Sequence, residues 1–299
     1  MPSVARIRIG ISGWRYADWR GDFYPAGLAQ RRELEHASRR FPTIELNGSF
    51  YSLQSATSYG RWHEQTPADF RFAVKGGRFI THFLRLKEPR QALANFFASG
   101  VLRLEEKLGP VLWQLPPSMR YEPDRVRDFL DILPMDTVAA VHLAHAHGPQ
   151  VAGADAWLES ARVRPIRHAL EVRHESFLRS SLVEDLRVRG VALAFSEAPD
   201  WPYVEELTAD FVYLRLHGAT ETYRSRYTDR ELERIAAKVL AWRDGEPLPD
   251  AVRIPGSGRP RRRGRDVWVY FDNTDKRHAP RDAGRLMRLL DEGTPVRDR

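Results

Sequence analysis

An α/β chain folded as a single (β/α)8 TIM-type barrel, whether regular or not, is what this sequence predicts, and three observations carry the prediction. Eight short segments set apolar residues on one parity of a strand against small, polar or charged residues on the other. The stretches between most of them read as helical, the alternation of a parallel sheet with crossovers. The polar parity carries a carboxylate, an amide or a guanidinium so often that an open doubly wound sheet, which buries both strand faces, fits less well. At 299 residues the chain is within the reach of one barrel, so 1–299 is read as one domain with a basic flexible insertion at about 245–264.

The second segment, Thr43 to Tyr51, displays the device most plainly: Ile44 and Leu46 point one way, Glu45 and Asn47 the other. Burying an unpaired carboxylate or amide is costly, so that second side must open onto a solvated or ligand-filled space. In the first segment, Arg6 to Trp14, Ile7, Ile9 and Ile11 oppose Gly10 and Ser12. The aromatic loop that follows, with Tyr16, Trp19, Phe23 and Tyr24, is expected to pack over the rim, and Trp14 to touch ligand. A helix is expected from about Gly27 to Arg40, and another near Tyr59 to Gln65. The third strand, Phe70 to Lys75, sets Phe72 and Val74 against Arg71, Ala73 and Lys75, which puts Lys75 at the mouth; Gly76-Gly77 beyond it marks a turn more readily than an anion cradle. A long helix is expected over Pro89 to Leu108.

The fourth strand, Val111 to Gln114, is stopped by Leu115-Pro116-Pro117 and leaves Gln114 inward. Helices follow around 123–133, 136–147 and 154–164. His142 and His145 share a face of the second, but no carboxylate joins them at ligand spacing, and they read as surface histidines. The fifth strand, His168 to Arg173, turns Glu171 and Arg173 inward, and the sixth, Val191 to Ser196, turns in Ala192, Ala194 and Ser196. The seventh, Phe211 to His217, presents Tyr213, Arg215 and His217, and the eighth, Val267 to Asn273, presents Trp268, Tyr270 and Asp272. A helix from Ala279 to Leu290 closes the chain.

Composition bounds the chemistry. The apolar fraction, 42%, can fill a core, and the absence of cysteine excludes disulfides, thiolate nucleophiles and cysteine zinc sites. The N-terminal MPSVARIRIG has no long apolar core, and no stretch approaches the ~20 apolar residues of a membrane span, so a cytoplasmic protein with no membrane partner is expected. Lys+Arg at 47 against Asp+Glu at 40 gives a net charge of +7, which invites an anionic partner. The densest basic run, Arg259 to Arg265, reads first as a solvated loop and second as a nucleic-acid contact. No G-x-G-x-x-G or Walker sequence nominates a nucleotide fold.

Seven strings, ISGWRYADWRGDFYP, TIELNGSFY, TPADFRFAVKGGRFITH, QLPPS, EVRHESF, VYLRLHG and VYFDNTD, occur in an order that resembles the YecE-like family, the domain of unknown function 72 family, over nearly the whole chain. The resemblance implies a TIM-type barrel and no established activity. The sequence departs from the family pattern at Gly48-Ser49, where Ser-Thr is usual, and at Gly76-Gly77, where Ala-Pro is usual. It departs again at Ser196-Glu197, where an aspartate often follows strand six, so no role of that aspartate is carried over.

A closed barrel brings Ser12, Glu45, Asn47, Lys75, Gln114, Glu171, Arg173, Arg215, His217, Asp272 and Asn273 to the face where barrel enzymes keep their sites. A self-satisfied ion network is one reading. A site is the other, since buried ion pairs seldom justify themselves by stability alone. On the second reading Ser12, Trp14, Asn47, Tyr51, Lys75, Gln114, Arg173, Arg215 and Asn273 bind substrate, the two guanidiniums by bidentate contact with phosphate or carboxylate. Phe50, Tyr223 and Tyr227 join Trp14 and Tyr51 as stacking candidates.

Glu45 and Glu171 are expected as general acid and base, His217 as the proton carrier near neutral pH, and Asp272 beside them. The expected protein is thus an enzyme, a hydrolase, lyase or isomerase, acting on a small anionic or sugar-like molecule without a cofactor. Glu171→Gln is expected to abolish turnover and spare the fold. A divalent metal held by Glu45, Glu171, His217 and Asp272 is the lesser variant, because Lys75 and two arginines stand beside them. The alternative function is nucleic-acid association through the basic run and a cationic rim, weakened by salt and by replacing Arg261, Arg262 and Arg263.

Overall fold

Period-two strands with one apolar and one polar face can bury both only by rolling up, and that is what the chain does. The computed structural model describes residues 5–151, 155–273 and 277–292. In it β1 (Ile7–Ser12) lies in parallel between β2 (Thr43–Leu46) and β9 (Asp266–Phe271). From β2 the sheet continues through β3 (Arg71–Lys75) and β4 (Leu108–Gln114) to β5 (His168–Glu171), and from β9 to β8 (Phe211–Leu216). The expected sixth strand comes in two pieces: β6 (Ala192–Leu193) pairs with β5, and β7 (Phe195–Glu197) with β8. Ala194 lies between them with its N–H still on Leu170 O, so nine parallel strands make a nearly closed barrel.

The two parities form two cores. Ile9, Ile11, Ile44, Phe72, Val111, Leu170, Val212 and Val269 face outward to the helices. Ala73, Leu112, Ala169, Ala192 and Ala194 face inward against Phe211, Tyr213, Trp268 and Tyr270, small beside large as a narrow lumen requires. Arg8 closes the lower end, its guanidinium 5.1 Å from the Trp268 ring. Polar side chains above this packed plug therefore have one exit, the strand C-termini.

Several helices differ from expectation, each for a local reason. The long helix over 89–108 stops as α4 (Arg90–Ala98), because Gly100 at φ +113° turns the chain into a 3-10 turn over Val101–Lys107. A Cβ there would lie 2.3 Å from Ala56 Cα, so the break belongs to packing that apolar periodicity does not register. The stretch 155–164 is not helical. Arg164 O instead accepts from Thr137 N, and Pro165 bridges Asp136 beside the N-cap of α6 (Thr137–Ala144); residue 154 lies outside the described residues. The helix expected over 27–40 is shorter, α1 (Glu33–Ser38), and a single turn, α2 (Gly48–Tyr51), follows β2 directly. Among the described residues no helix is long and apolar enough to cross a membrane.

The 245–264 insertion is pinned rather than loose. Buried Glu206 accepts from Ile254 N at 2.7 Å and Ser257 Oγ at 2.6 Å, and pairs with Arg187 and Arg253. Buried Arg265 donates to the carbonyls of Ala209, Arg261 and Arg263, so it closes the loop rather than offering charge. This loop leads from α8 (Asp229–Asp244) into the N-terminal end of β9, so the exposed Arg259, Arg261, Arg262 and Arg263 lie at the opposite end of the barrel from the strand C-termini.

Candidate active site at the barrel mouth

The mouth is organised by Arg215, carried inward by the parity of β8 and fully buried. All five N–H donors of a guanidinium are engaged there. Nε and Nη2 hold Glu45 at 2.9 and 2.8 Å, Nη1 holds Glu171 at 2.8 Å and His217 Nε2 at 2.9 Å, and Nη2 also reaches Asp272 at 3.0 Å. Arg215 thus has no donor left for a substrate anion. Its expected clamping role is corrected to one of holding the site's own carboxylates.

The carboxylates are equally occupied. Glu45 also accepts from Ser12 Oγ at 2.6 Å and Tyr213 OH at 2.7 Å, while Ser12 in turn accepts from Asn47 Nδ2 at 2.8 Å. Glu171 also accepts from Arg173 Nε at 2.6 Å. Burial pushes both carboxyls up, but the neighbouring cations outweigh it, Arg215 above all for Glu45 and Arg173 with Arg215 for Glu171, and each is held down to about 2. Both are therefore ionised and hydrogen-bonded on both oxygens, which corrects their assignment as general acid and base. Glu171→Gln accordingly removes one side of an ion network, and its effect extends to the fold.

His217 is corrected as well. Burial and then Arg215 push it well below its ordinary value, and with Nε2 accepting from Arg215 its proton sits on Nδ1, 3.4 Å from Ser196 Oγ. It is a neutral acceptor, not a proton carrier near pH 7. The Arg215 guanidinium sits among Glu45, Glu171, His217 and Asp272, the four residues expected to hold a metal. Among the described residues no other cluster of three His, Asp or Glu side chains could hold a metal.

Two expected ligand contacts, and one stacking candidate, face away from the mouth. Gly13, at φ +81°, reverses the chain after β1, so Trp14 packs behind the wall, 5.6 Å from Trp62 and 6.3 Å from Phe72. Asn273 follows Asp272 on the outer parity, where it donates to Asp282 Oδ2 at 2.9 Å and Ser225 O at 3.1 Å. Tyr227 is buried against Phe271 and donates nothing to the mouth, its hydroxyl accepting from Gly218 N. Gly76 N–H is engaged by Leu112 O, so the Gly-Gly step is no anion cradle.

Lys75 and Arg173 keep capacity to bind. Lys75 ends the inward parity of β3, is 8% exposed, and holds Nζ 4.3 Å from the centre of the Phe50 ring. Among the described residues its Nζ makes no hydrogen bond or ion pair. Burial first, then Arg215, lowers it to about 7, with Glu45 and Glu171 offsetting only part. Arg173 lies flat over Trp201 at 3.6 Å, and its Nη2 is buried with no partner. Asn47 Oδ1 is in the same state, and Gln114 is buried at the end of β4. Tyr51 stands 66% exposed on the rim, 5.6 Å from Arg78.

Sequence reasoning missed Trp201 and His82. Trp201, edge-on to His217 at 4.7 Å and to Tyr223 at 5.8 Å, comes from an irregular loop after β7 in which only a tryptophan between Asp200 and Pro202 was a signal. Tyr223 joins it at φ +65°, a conformation costing a non-glycine residue about 1–3 kcal/mol, the kind of strain that collects at sites. His82, 5.1 Å from Phe50, is pushed down to about 4 by burial and then by Lys75 and Arg173, so those two cations both act on one roof residue.

Comparison with known proteins places this architecture. The profile described as "Protein of unknown function DUF72" matches residues 8–298. The UPF0759 protein YunF of Bacillus subtilis is 34% identical over 37% of this chain and 40% of its own length. The UPF0759 protein YecE of Escherichia coli K12 is 29% identical over 46% and 48%. The match thus spans less than half of either relative. A crystallised DUF72 family protein from Thermotoga maritima, TM1631, superposes with a TM-score of 0.70 at 24% identity, over 96% of this chain and 99% of that one. EF0366 of Enterococcus faecalis superposes at 0.65 with 15% identity, over 95% of each chain. At these identities the likeness is one of fold.

Proposed function

The chain belongs to the family described as "Protein of unknown function DUF72", and we propose that its barrel mouth is the active site of an enzyme that moves protons on a small carboxylated or phosphorylated substrate. Lys75 carries the reading. A buried amine brought to about 7 is divided between base and acid at neutral pH, the condition that general acid–base catalysis favours. The glutamates and His217 are its fixed surroundings, with Arg215 as their positioning residue. Arg173 supplies the anion contact through its unpartnered Nη2, on a guanidinium immobilised over Trp201. Phe50, beside Lys75, and the Trp201–Tyr223 pair beside Arg173 would offer aromatic faces to a small planar or sugar-like body.

The nucleic-acid alternative would use the basic run together with a cationic barrel rim. They occupy opposite ends of the barrel, so the run would have to act alone. Thermal unfolding with inorganic phosphate, acetate, gluconate and a short single-stranded oligonucleotide separates the readings. An anion at ~100 times its Kd adds about 2.7 kcal/mol to stability. That gain should appear with wild type, disappear in Arg173→Lys, which keeps a charge beside Glu171 but loses the planar fork, and persist when Arg261, Arg262 and Arg263 are all replaced by alanine. Stabilisation by the oligonucleotide alone, lost in the triple variant, would move the function to the base of the barrel.

A further inference from the structure

Resting on the mouth as substrate site, we propose that Lys75 acts covalently: its Nζ condenses with the carbonyl carbon of a small oxo acid, forming an imine while the substrate carboxylate sits on the free edge of Arg173. The reaction balances without a co-reactant. The Nζ lone pair forms the C–N bond, the carbonyl oxygen becomes the hydroxyl of a carbinolamine, and that oxygen leaves as water with the two amine hydrogens as C=N forms. No electron is gained or lost.

Three features of the mouth favour attack by nitrogen over proton transfer alone. Lys75 Nζ is unencumbered among the described residues, whereas Glu45 and Glu171 have both oxygens occupied. The amine lies in a site 8% exposed, and that burial favours the neutral nucleophile over the ammonium and limits the water that would reverse condensation, although the Phe50 face 4.3 Å away offsets part of it. The third feature is the charge balance. Glu45, Glu171 and Asp272 face Arg215 and Arg173, which leaves one negative charge in excess before the substrate adds its own. With the substrate carboxylate the excess is two, and a cation on nitrogen lowers it to one, so the bound imine is favoured in its protonated form, the form that withdraws electrons from the substrate carbon. The same fixed carboxylates that deny themselves to acid–base work therefore activate the adduct. The substrate class is a small oxo acid, and the chemistry available to it is proton exchange or bond cleavage next to the carbonyl.

The test is borohydride trapping at pH 7.5 with pyruvate, acetoacetate and neutral acetone, followed by intact mass and peptide mapping. Expected is a stoichiometric adduct with an oxo acid, carried on the peptide containing Lys75, absent in Lys75→Arg, and reduced at least tenfold with acetone or in Arg173→Lys. Adducts spread over surface lysines, or undiminished in Lys75→Arg, overturn the proposal. Equal trapping of acetone overturns the carboxylate requirement. If no oxo acid is trapped while acetate or phosphate still raises the Tm of wild type and not of Arg173→Lys, imine formation is wrong and the anion site stands. If neither trapping nor stabilisation is seen, the mouth itself is misread.

Discussion

Replacing Arg215 with methionine is expected to destabilise the protein by about 3–5 kcal/mol at pH 7, a large share of the roughly 5–15 kcal/mol that holds an ordinary domain together. The side chain is of comparable length, so the loss is electrostatic. Glu45 and Glu171, both fully buried, and Asp272 would stand together without their shared cation. The pH dependence identifies the cause. In wild type Glu45 and Glu171 are depressed to about 2, so their contribution is fully present above the ordinary carboxylate range and is lost as pH falls through about 2. In Arg215→Met the same carboxyls are raised by burial and like charge, and protonation relieves them. The gap between the two proteins should therefore narrow from pH 7 to pH 4 in urea unfolding. A variant within about 0.5 kcal/mol of wild type at pH 7, below what even a surface pair can contribute, would mean the network does not hold the mouth.

Lys75→Met is expected to act in the opposite direction on stability while removing function. Lys75 titrates near 7 in the fold and near 10.5 when unfolded, so between those values the unfolded chain binds the extra proton and wild type grows more stable as pH rises. The amine thus destabilises the fold most at and below pH 7. Methionine should relieve it by roughly 1.4 kcal/mol for each pH unit of that interval, the relief fading as pH approaches 10.5. Paired urea titrations of wild type and Lys75→Met at pH 6.5, 8 and 9.5 measure it. Turnover of any substrate found by the trapping or stabilisation experiments should drop at least a hundredfold in the same variant. A stability difference that stays flat across this range would return Lys75 to an ordinary solvated amine and remove its chemical role.

Strand parity was legible because it is local. Glu45, Lys75, Glu171, Arg215, His217 and Asp272 all lie where alternation put them, since two residues along a strand always return to one face. Their roles were not legible, because a role depends on which groups meet across the lumen. Nothing in FVYLRLHG says that one arginine will engage three carboxylates from other strands, or that both oxygens of Glu45 and of Glu171 will be taken up by neighbours. Trp14 failed through one left-handed glycine, and Asn273 failed because the parity rule, applied one residue further, already sends it outward. Trp201 had no strand around it to give it direction. The insertion's anchorage depends on Glu206, about fifty positions away in sequence and adjacent in space.

The outward turn of Asn273 ties the barrel mouth to the outer helices. Asp282 of α9 (Ala279–Glu292) receives Asn273 Nδ2 and Tyr227 N, and Arg285 of the same helix donates to Tyr227 O. The segment that carries Tyr223 to the mouth is thus tethered from behind the barrel wall. Substitutions at Asp282 or Arg285 would therefore reach Tyr223 from outside the barrel while leaving Lys75, Arg173 and the buried carboxylates in place.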